Sequence, residues 1–215
     1  HESPRKYLPR HCLNVAKLAL FLGHARGLKQ KELEDLTLCG LLHDVGMFQV
    51  DSTVFKKKAQ LSEEEWGKVR SHPKEGAALL TREALLRDVI GRVALEHHER
   101  HDGTGYPHGK KGEELHLYAR LINLVDTYEA MISPRMHRLP ILPHEAVSAI
   151  MDEGARGMLD WELAELFAKS VGLYPIGSWV KLITGEFARV IRANPETPAR
   201  PVVLIVADAS RNVLT

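Results

Sequence analysis

The sequence predicts a mainly α-helical fold, a helical bundle over residues 1–172, with a small C-terminal β-hairpin or sheet subdomain over residues 173–215. Three observations carry this prediction. Apolar residues recur at helical spacing in one segment after another as far as Gly172, which places them on one face of each helix. Between these segments lie glycine, proline and capping residues, the signals at which helices start and stop. After Gly172 the chain changes to short runs rich in valine, isoleucine and aromatic residues, the composition of strands joined by tight turns.

In the first predicted helix Leu8, His11, Val15, Leu18 and Leu22 form one stripe, with Pro9 near the start and Gly27 as the stop. The second runs from about Lys31 with Leu33, Leu36, Gly40 and His43 on a face, and Gly46 is expected to end it. Ser62-Glu63-Glu64-Glu65 is a capping box that starts a helix running toward His72. Pro73 breaks that helix, and Lys74 to Leu80 continue as another, so His72 is expected at a junction. A helix from about Arg82 aligns Leu86, Ile90, Val93 and His97, and it runs into the glycine-rich loop HHERHDGTGYPHG. Helices are then expected over Leu117 to Met131, Glu145 to Glu153 and Trp161 to Val171. Strands follow over Trp179 to Ile183, Phe187 to Ile191 and Pro201 to Ala207, with Thr184-Gly185 as a hairpin turn.

A chain of 215 residues can bury one sizeable core with a small appended lobe. Its net charge of +1 argues against DNA or RNA as a partner, because such binding draws on massed lysine and arginine. No apolar run approaches the roughly 20 residues that span a bilayer, and the start lacks a signal-peptide pattern, so the chain reads as cytoplasmic. Cys12 and Cys39 are expected as small buried apolar residues. The chain enters a helix almost at once, as an excised module would, and an N-terminal sensory or receiver domain is expected ahead of it.

The informative count is histidine, at 12. Four predicted helices each place a metal-ligand residue on the stripe that faces the core: His11, His43 with Asp44, His97 with His98, and Asp126. His72 adds a fifth source. Buried ionisable groups without partners cost several kcal/mol each, and a shared cation removes that cost. Imidazole and carboxylate without thiolate suit Fe, Mn, Co, Ni or Zn better than Ca or Mg. Seven candidates exceed one coordination sphere, which favours two ions about 3.5–4 Å apart with Asp44 between them.

His43-Asp44, with His11 upstream and Asp126 downstream, resembles the H…HD…D signature of the HD superfamily of metal-dependent phosphohydrolases. HHERHDGTGYP is similar to the segment that defines its HD-GYP subset, and His72-Pro73, Val125-Asp126, SPRMHR and YPIGSWVKL extend the resemblance over nearly the whole chain. The resemblance implies a phosphodiesterase for cyclic di-GMP that holds two divalent ions, Fe or Mn foremost, with a water shared between them activated to hydroxide. His11, His43, Asp44 and Asp126 would hold one ion. Asp44, His72 and His97 would hold the other, with His98 either in that sphere or behind His97. It further implies His43 and Asp44 as catalytic residues, Arg135 and Arg138 as phosphate contacts, and Gly105, Tyr106 and Pro107 beside the substrate. The same loop is linked in the family to recognition of a diguanylate cyclase (GGDEF) partner. Glu99 and Asp102 are expected to hold the loop or a ligating imidazole rather than act as catalytic acids.

Two positions depart from the family pattern. Many members carry a lysine on substrate phosphate three residues after the HD aspartate, where this chain has Met47. Members with three metals carry a glutamate four residues before the first histidine, where this chain has Tyr7. Tyr7 therefore points to two ions and to linear pGpG as the main product. Met47 keeps open a module that binds cyclic di-GMP or a partner without hydrolysis, and the HD ligands alone would also suit a nucleotidase.

Overall fold

The computed structural model describes residues 4–51, 54, 57, 60–82, 87–134, 139–194, 197 and 199–214. Its α-helices are α1 (Pro4–Ala25), α2 (Gln30–Leu42), α3 (Glu63–Arg70), α4 (His72–Leu80), α5 (Asp88–Glu96), α6 (Leu117–Ile132), α7 (Pro143–Ala155) and α8 (Trp161–Val171). Short 3-10 turns cover Val45–Gln49 and Gly112–Glu114. The strands β1 (Trp179–Lys181), β2 (Phe187–Arg192) and β3 (Val202–Ala207) form an antiparallel sheet in that order. The expected mainly α fold with a small C-terminal sheet is what the chain adopts.

The core lies where the apolar stripes meet. Val15, Ala19 and Leu22 of α1, Leu36 and Cys39 of α2, Ile90 and Val93 of α5, Ile150 of α7 and Phe167 of α8 are all buried in it. Helix α6 contributes Leu121, Ile122, Leu124 and Val125, four consecutive or near-consecutive buried positions. A helix apolar around most of its circumference is one enclosed by its neighbours. Asp126, on α6, is therefore carried into the middle of the bundle. Cys12 and Cys39 are both buried free thiols, packed as small apolar residues.

Helix ends follow local chemistry in some places and packing in others. Ser62 caps α3: its hydroxyl accepts from Glu65 N at 3.3 Å, and the Glu65 carboxylate accepts from Ser62 N at 2.7 Å. The Asp160 carboxylate accepts from Leu163 N at the start of α8. Several expected boundaries are corrected. Helix α2 stops at Leu42 rather than at Gly46, which lies buried inside the 3-10 turn that follows. Arg82 sits in a turn and α5 starts at Asp88, while Leu86 lies outside the described residues. Pro9 lies inside α1, which already begins at Pro4. In the sheet, β1 ends at Lys181 and Ile183 is fully exposed at the hairpin, where Gly185 takes a φ of 105°. A residue at a tight turn has no neighbour strand to bury it.

Among the described residues no helix is long and apolar enough to cross a membrane.

Candidate metal centre

Five separate elements bring the seven predicted ligands together. His11 comes from the middle of α1, His43 caps the C-terminus of α2 with Asp44 behind it, and His72 opens α4. His97 caps α5 with His98 following, and Asp126 comes from α6. Their ligand atoms form two groups, Asp44 with His72, His97 and His98, and His11 with His43 and Asp126, each within 4.8 Å. Asp44 also reaches the second group. Its Oδ1 lies 3.1 Å from His72 Nε2 and 3.5 Å from His97 Nε2. Its Oδ2 lies 3.7 Å from both His11 Nε2 and His43 Nε2. One carboxylate oxygen thus faces each half.

The tautomers follow from the backbone. The Nδ1 atoms of His43, His72 and His97 lie 2.9, 2.6 and 2.8 Å from the carbonyl oxygens of Gly40, Val69 and Ala94. A carbonyl only accepts, so each Nδ1 carries the proton and each Nε2 presents a lone pair inward. His72 Nε2 and His97 Nε2 are 3.2 Å apart, and both face Asp44 Oδ1. Three lone-pair acceptors at such distances repel one another unless a cation lies among them. His43 Nε2 is buried with no hydrogen-bond partner among the described residues. Both features fit divalent ions held by imidazole nitrogen and carboxylate oxygen.

The electrostatics agree with this arrangement. Burial would raise the Asp44 carboxyl, but the His43, His72 and His97 imidazoles around it hold it well below the usual carboxylate range. Asp126 is likewise lowered against its burial, chiefly by His11. Burial pushes His43 down to about 4 and, beside the His97 ring, holds His98 well below its ordinary value. These imidazoles are neutral near pH 7, the form that coordinates a metal. His11 differs: burial lowers it, but bonds to Asp126 and Glu129 outweigh that and raise it to about 10. In the metal-free protein a proton on His11 Nε2, 3.1 Å from Asp126 Oδ1, stands where a cation would bind.

Comparison with known proteins places this geometry in a family. A family model described as HD domain matches residues 2–163, and one described as KOW domain associated with HD domain matches residues 179–215. The chain belongs to the HD domain family. It is 32% identical to a cyclic di-GMP phosphodiesterase of Pseudomonas aeruginosa, over 97% of this chain and 50% of that protein. It is 30% identical to a 3'3'-cGAMP-specific phosphodiesterase of Vibrio cholerae, over 79% of this chain and 36% of that protein. The chain therefore spans half or less of the length of these curated relatives. Among solved structures it shares its fold with Bd1817, an HDG"Y"P protein from Bdellovibrio bacteriovorus, at a TM-score of 0.63 and 22% identity, covering 78% of this chain and 53% of that one.

In this HD domain the GYP loop is built against the ligands. Tyr106 stacks on His98 with ring centroids 4.9 Å apart, and Tyr106 N donates to His98 O at 3.2 Å. Gly105 is required there: a Cβ would meet Arg100 N at 2.3 Å and His98 O at 2.5 Å. Glu99 accepts from His108 N and Lys110 N, and Asp102 accepts from Thr104, so both acids shape the loop as expected. Burial, with the Asp44 and Asp126 carboxylates nearby, raises the Tyr106 phenol, which stays a neutral hydrogen-bond donor. Arg135 and Arg138 lie outside the described residues.

Two buried acids that support the candidate centre and its loop escaped the sequence reading. The Glu96 carboxylate accepts from Arg92, Lys110 and His116 N, tying both flanks of the loop to α5. Glu129 accepts from His11 Nδ1 at 2.6 Å and from Asn14 and Ser133. Its position, three residues after Asp126 on the same helix face, was the available signal. A carboxylate behind a ligating imidazole fixes its tautomer and raises its basicity. Glu129→Ala is accordingly expected to weaken metal binding about 10- to 100-fold, measured by competition with a chelator. Unchanged affinity would make Glu129 a packing residue only.

Proposed function

We propose that this chain is a metal-dependent phosphodiesterase that opens one diester of cyclic di-GMP to give mainly linear pGpG. In this reading residues 1–172 form the catalytic core and 173–215 an appended β-subdomain. The observation that carries it is Asp44, whose two oxygens face two separate sets of ligand atoms. A carboxylate so placed suits a pair of ions, with His11, His43 and Asp126 on one side and His72, His97 and His98 on the other. The relatives' names supply the substrate class, cyclic dinucleotides.

When bound, two divalent ions, Fe or Mn by this donor set and Co, Ni or Zn as its other candidates, make hydroxide available near neutral pH and offset charge on a phosphate oxygen. The protein's own groups do the rest. Gly40, Val69 and Ala94 carbonyls fix the tautomers of His43, His72 and His97. Asp44 and Asp126, ionised throughout the neutral range, supply the negative charge that draws cations into the bundle. Gly105, Tyr106 and Pro107 wall the centre on the loop side, and the Tyr106 hydroxyl is a donor for a substrate oxygen. Arg135 and Arg138 are assigned to a substrate phosphate on the resemblance.

Met47, half-buried in the 3-10 turn after Asp44, favours a second reading, binding of cyclic di-GMP without hydrolysis. The test is a time course with iron- or manganese-loaded protein on cyclic di-GMP, 3'3'-cGAMP and deoxynucleotides, followed by chromatography. Cyclic di-GMP should disappear with pGpG accumulating ahead of any GMP. Rapid complete conversion to GMP would overturn the single-cut reading. Binding without turnover would establish the second one, and turnover of deoxynucleotides alone would make the chain a nucleotidase.

A further inference from the structure

A cyclic dinucleotide carries two phosphodiesters on one ring, and a single pair of ligand groups can engage only one of them. The other is left for a cation outside the cradle, in addition to the Arg135 and Arg138 assigned above to a substrate phosphate. At the position where many relatives carry a lysine on substrate phosphate the chain has Met47, an apolar side chain. A different cation, Arg70, lies two residues before His72.

Arg70 is the last residue of α3, and its nitrogen is bonded to the Val69 carbonyl that orients His72 at 2.6 Å. Its guanidinium lies over the Trp66 ring, 5.9 Å from the centroid, a cation–π distance. Neighbouring cations are neutralised: Lys68 pairs with Glu64 at 2.8 Å and Lys57 with Glu65 at 2.6 Å. Among the described residues Arg70 has no carboxylate partner, and both it and Trp66, 43% exposed, open to solvent. Tyr106, stacked on His98 with ring centroids 4.9 Å apart, belongs to the same cradle as His72. Arg70 thus follows directly on the carbonyl that orients His72, and it carries its charge on Trp66 at the surface. A guanidinium held on a ring loses less freedom when it takes a phosphate, and its fork matches two phosphate oxygens.

We propose that Arg70, held on Trp66, receives the second phosphodiester of a cyclic dinucleotide while the first rests on the histidine and aspartate cradle. Arg70 is then a specificity residue for substrates with two phosphates, and Trp66 a positioning residue for it. The inference rests on the cyclic dinucleotide reading above.

The test compares cyclic di-GMP with GpG, two guanosines joined by a single phosphodiester, in initial-rate assays on the full metal-loaded chain. Arg70→Ala should lower kcat/KM on cyclic di-GMP about 10- to 100-fold, mainly through KM, as loss of one charge-assisted contact does. On GpG the loss should stay under about threefold. Arg70→Lys should recover most of the rate on cyclic di-GMP, and the salt dependence of its KM should flatten in Arg70→Ala but not in Arg70→Lys. Trp66→Ala should fall between wild type and Arg70→Ala. Equal losses on both substrates, or a lowered metal content in Arg70→Ala, would show a structural role and overturn the assignment. So would an unchanged KM on cyclic di-GMP. A wild-type protein that turns over neither substrate would instead sink the functional reading itself.

Discussion

Asp44→Ala is expected to empty both halves of the centre at once and to reduce kcat on cyclic di-GMP by at least about a thousandfold, some 4 kcal/mol of barrier. The reason lies in the two oxygens of that one carboxylate. Oδ1 is the partner shared by His72 and His97, and Oδ2 is the one shared by His11 and His43. Without it the His72, His97 and His98 group keeps only neutral ligands, and the His11 and His43 group is left with Asp126 as its one carboxylate. Asp44→Asn, which keeps the shape and removes the charge, should behave nearly as badly, and that result separates charge from packing. Elemental analysis should show metal falling from about two ions per chain to under half of one. Added metal should also no longer raise the Tm, because the stabilisation conferred by a ligand that binds only the folded state disappears with its affinity. An Asp44→Ala protein that keeps two ions and the wild-type rate would disprove the shared-carboxylate arrangement.

Most of the candidate ligand set was legible in the sequence because His11, His43, His97 and Asp126 sit on apolar helical stripes, and periodicity shows which residues point inward. His11 shares its stripe with Val15 and Leu22, and Asp126 shares one with Ile122 and Ala119, so a buried histidine or aspartate stands out against its neighbours. The same logic finds the strands, whose residues change character after Gly172. It does not find positions fixed by contacts between elements distant in sequence. Glu129 reads as one more acid on α6 until His11, from α1, is seen 2.6 Å away. The Glu96 carboxylate is buried because Lys110, Arg92 and His116 N close over it, and two of these come from beyond its own helix. The exit of α2 misled for a related reason. A glycine after a helical run usually marks the stop, but Gly46 is small because of what packs on it.

That packing makes Gly46→Ala the second large effect. A Cβ at position 46 would lie 2.0 Å from His72 O and 2.6 Å from Gly76 N, both backbone atoms of α4. Neither can rotate away as a side chain would, so the start of α4 must move bodily. His72 is the first residue of that helix, and its Nε2 stands 3.1 Å from Asp44 Oδ1 and 3.2 Å from His97 Nε2. A displacement of even an ångström there separates the three acceptors that one cation would hold together. Gly46→Ala should therefore lose the ion of the His72, His97 and His98 group selectively, taking metal content from about two toward about one per chain. Overpacking should also cost about 1–3 kcal/mol of stability. Gly76→Ala is the matched control. Its Cβ would meet Gly46 N at 3.1 Å, a contact relieved by a shift of a few tenths of an ångström, so it should keep both ions and most of the activity. The readouts are elemental analysis, turnover of cyclic di-GMP and thermal unfolding of all three proteins. Gly46→Ala with two ions and full turnover would mean that α4 yields without carrying His72 with it. The close approach of Gly46 would then have no part in building the centre.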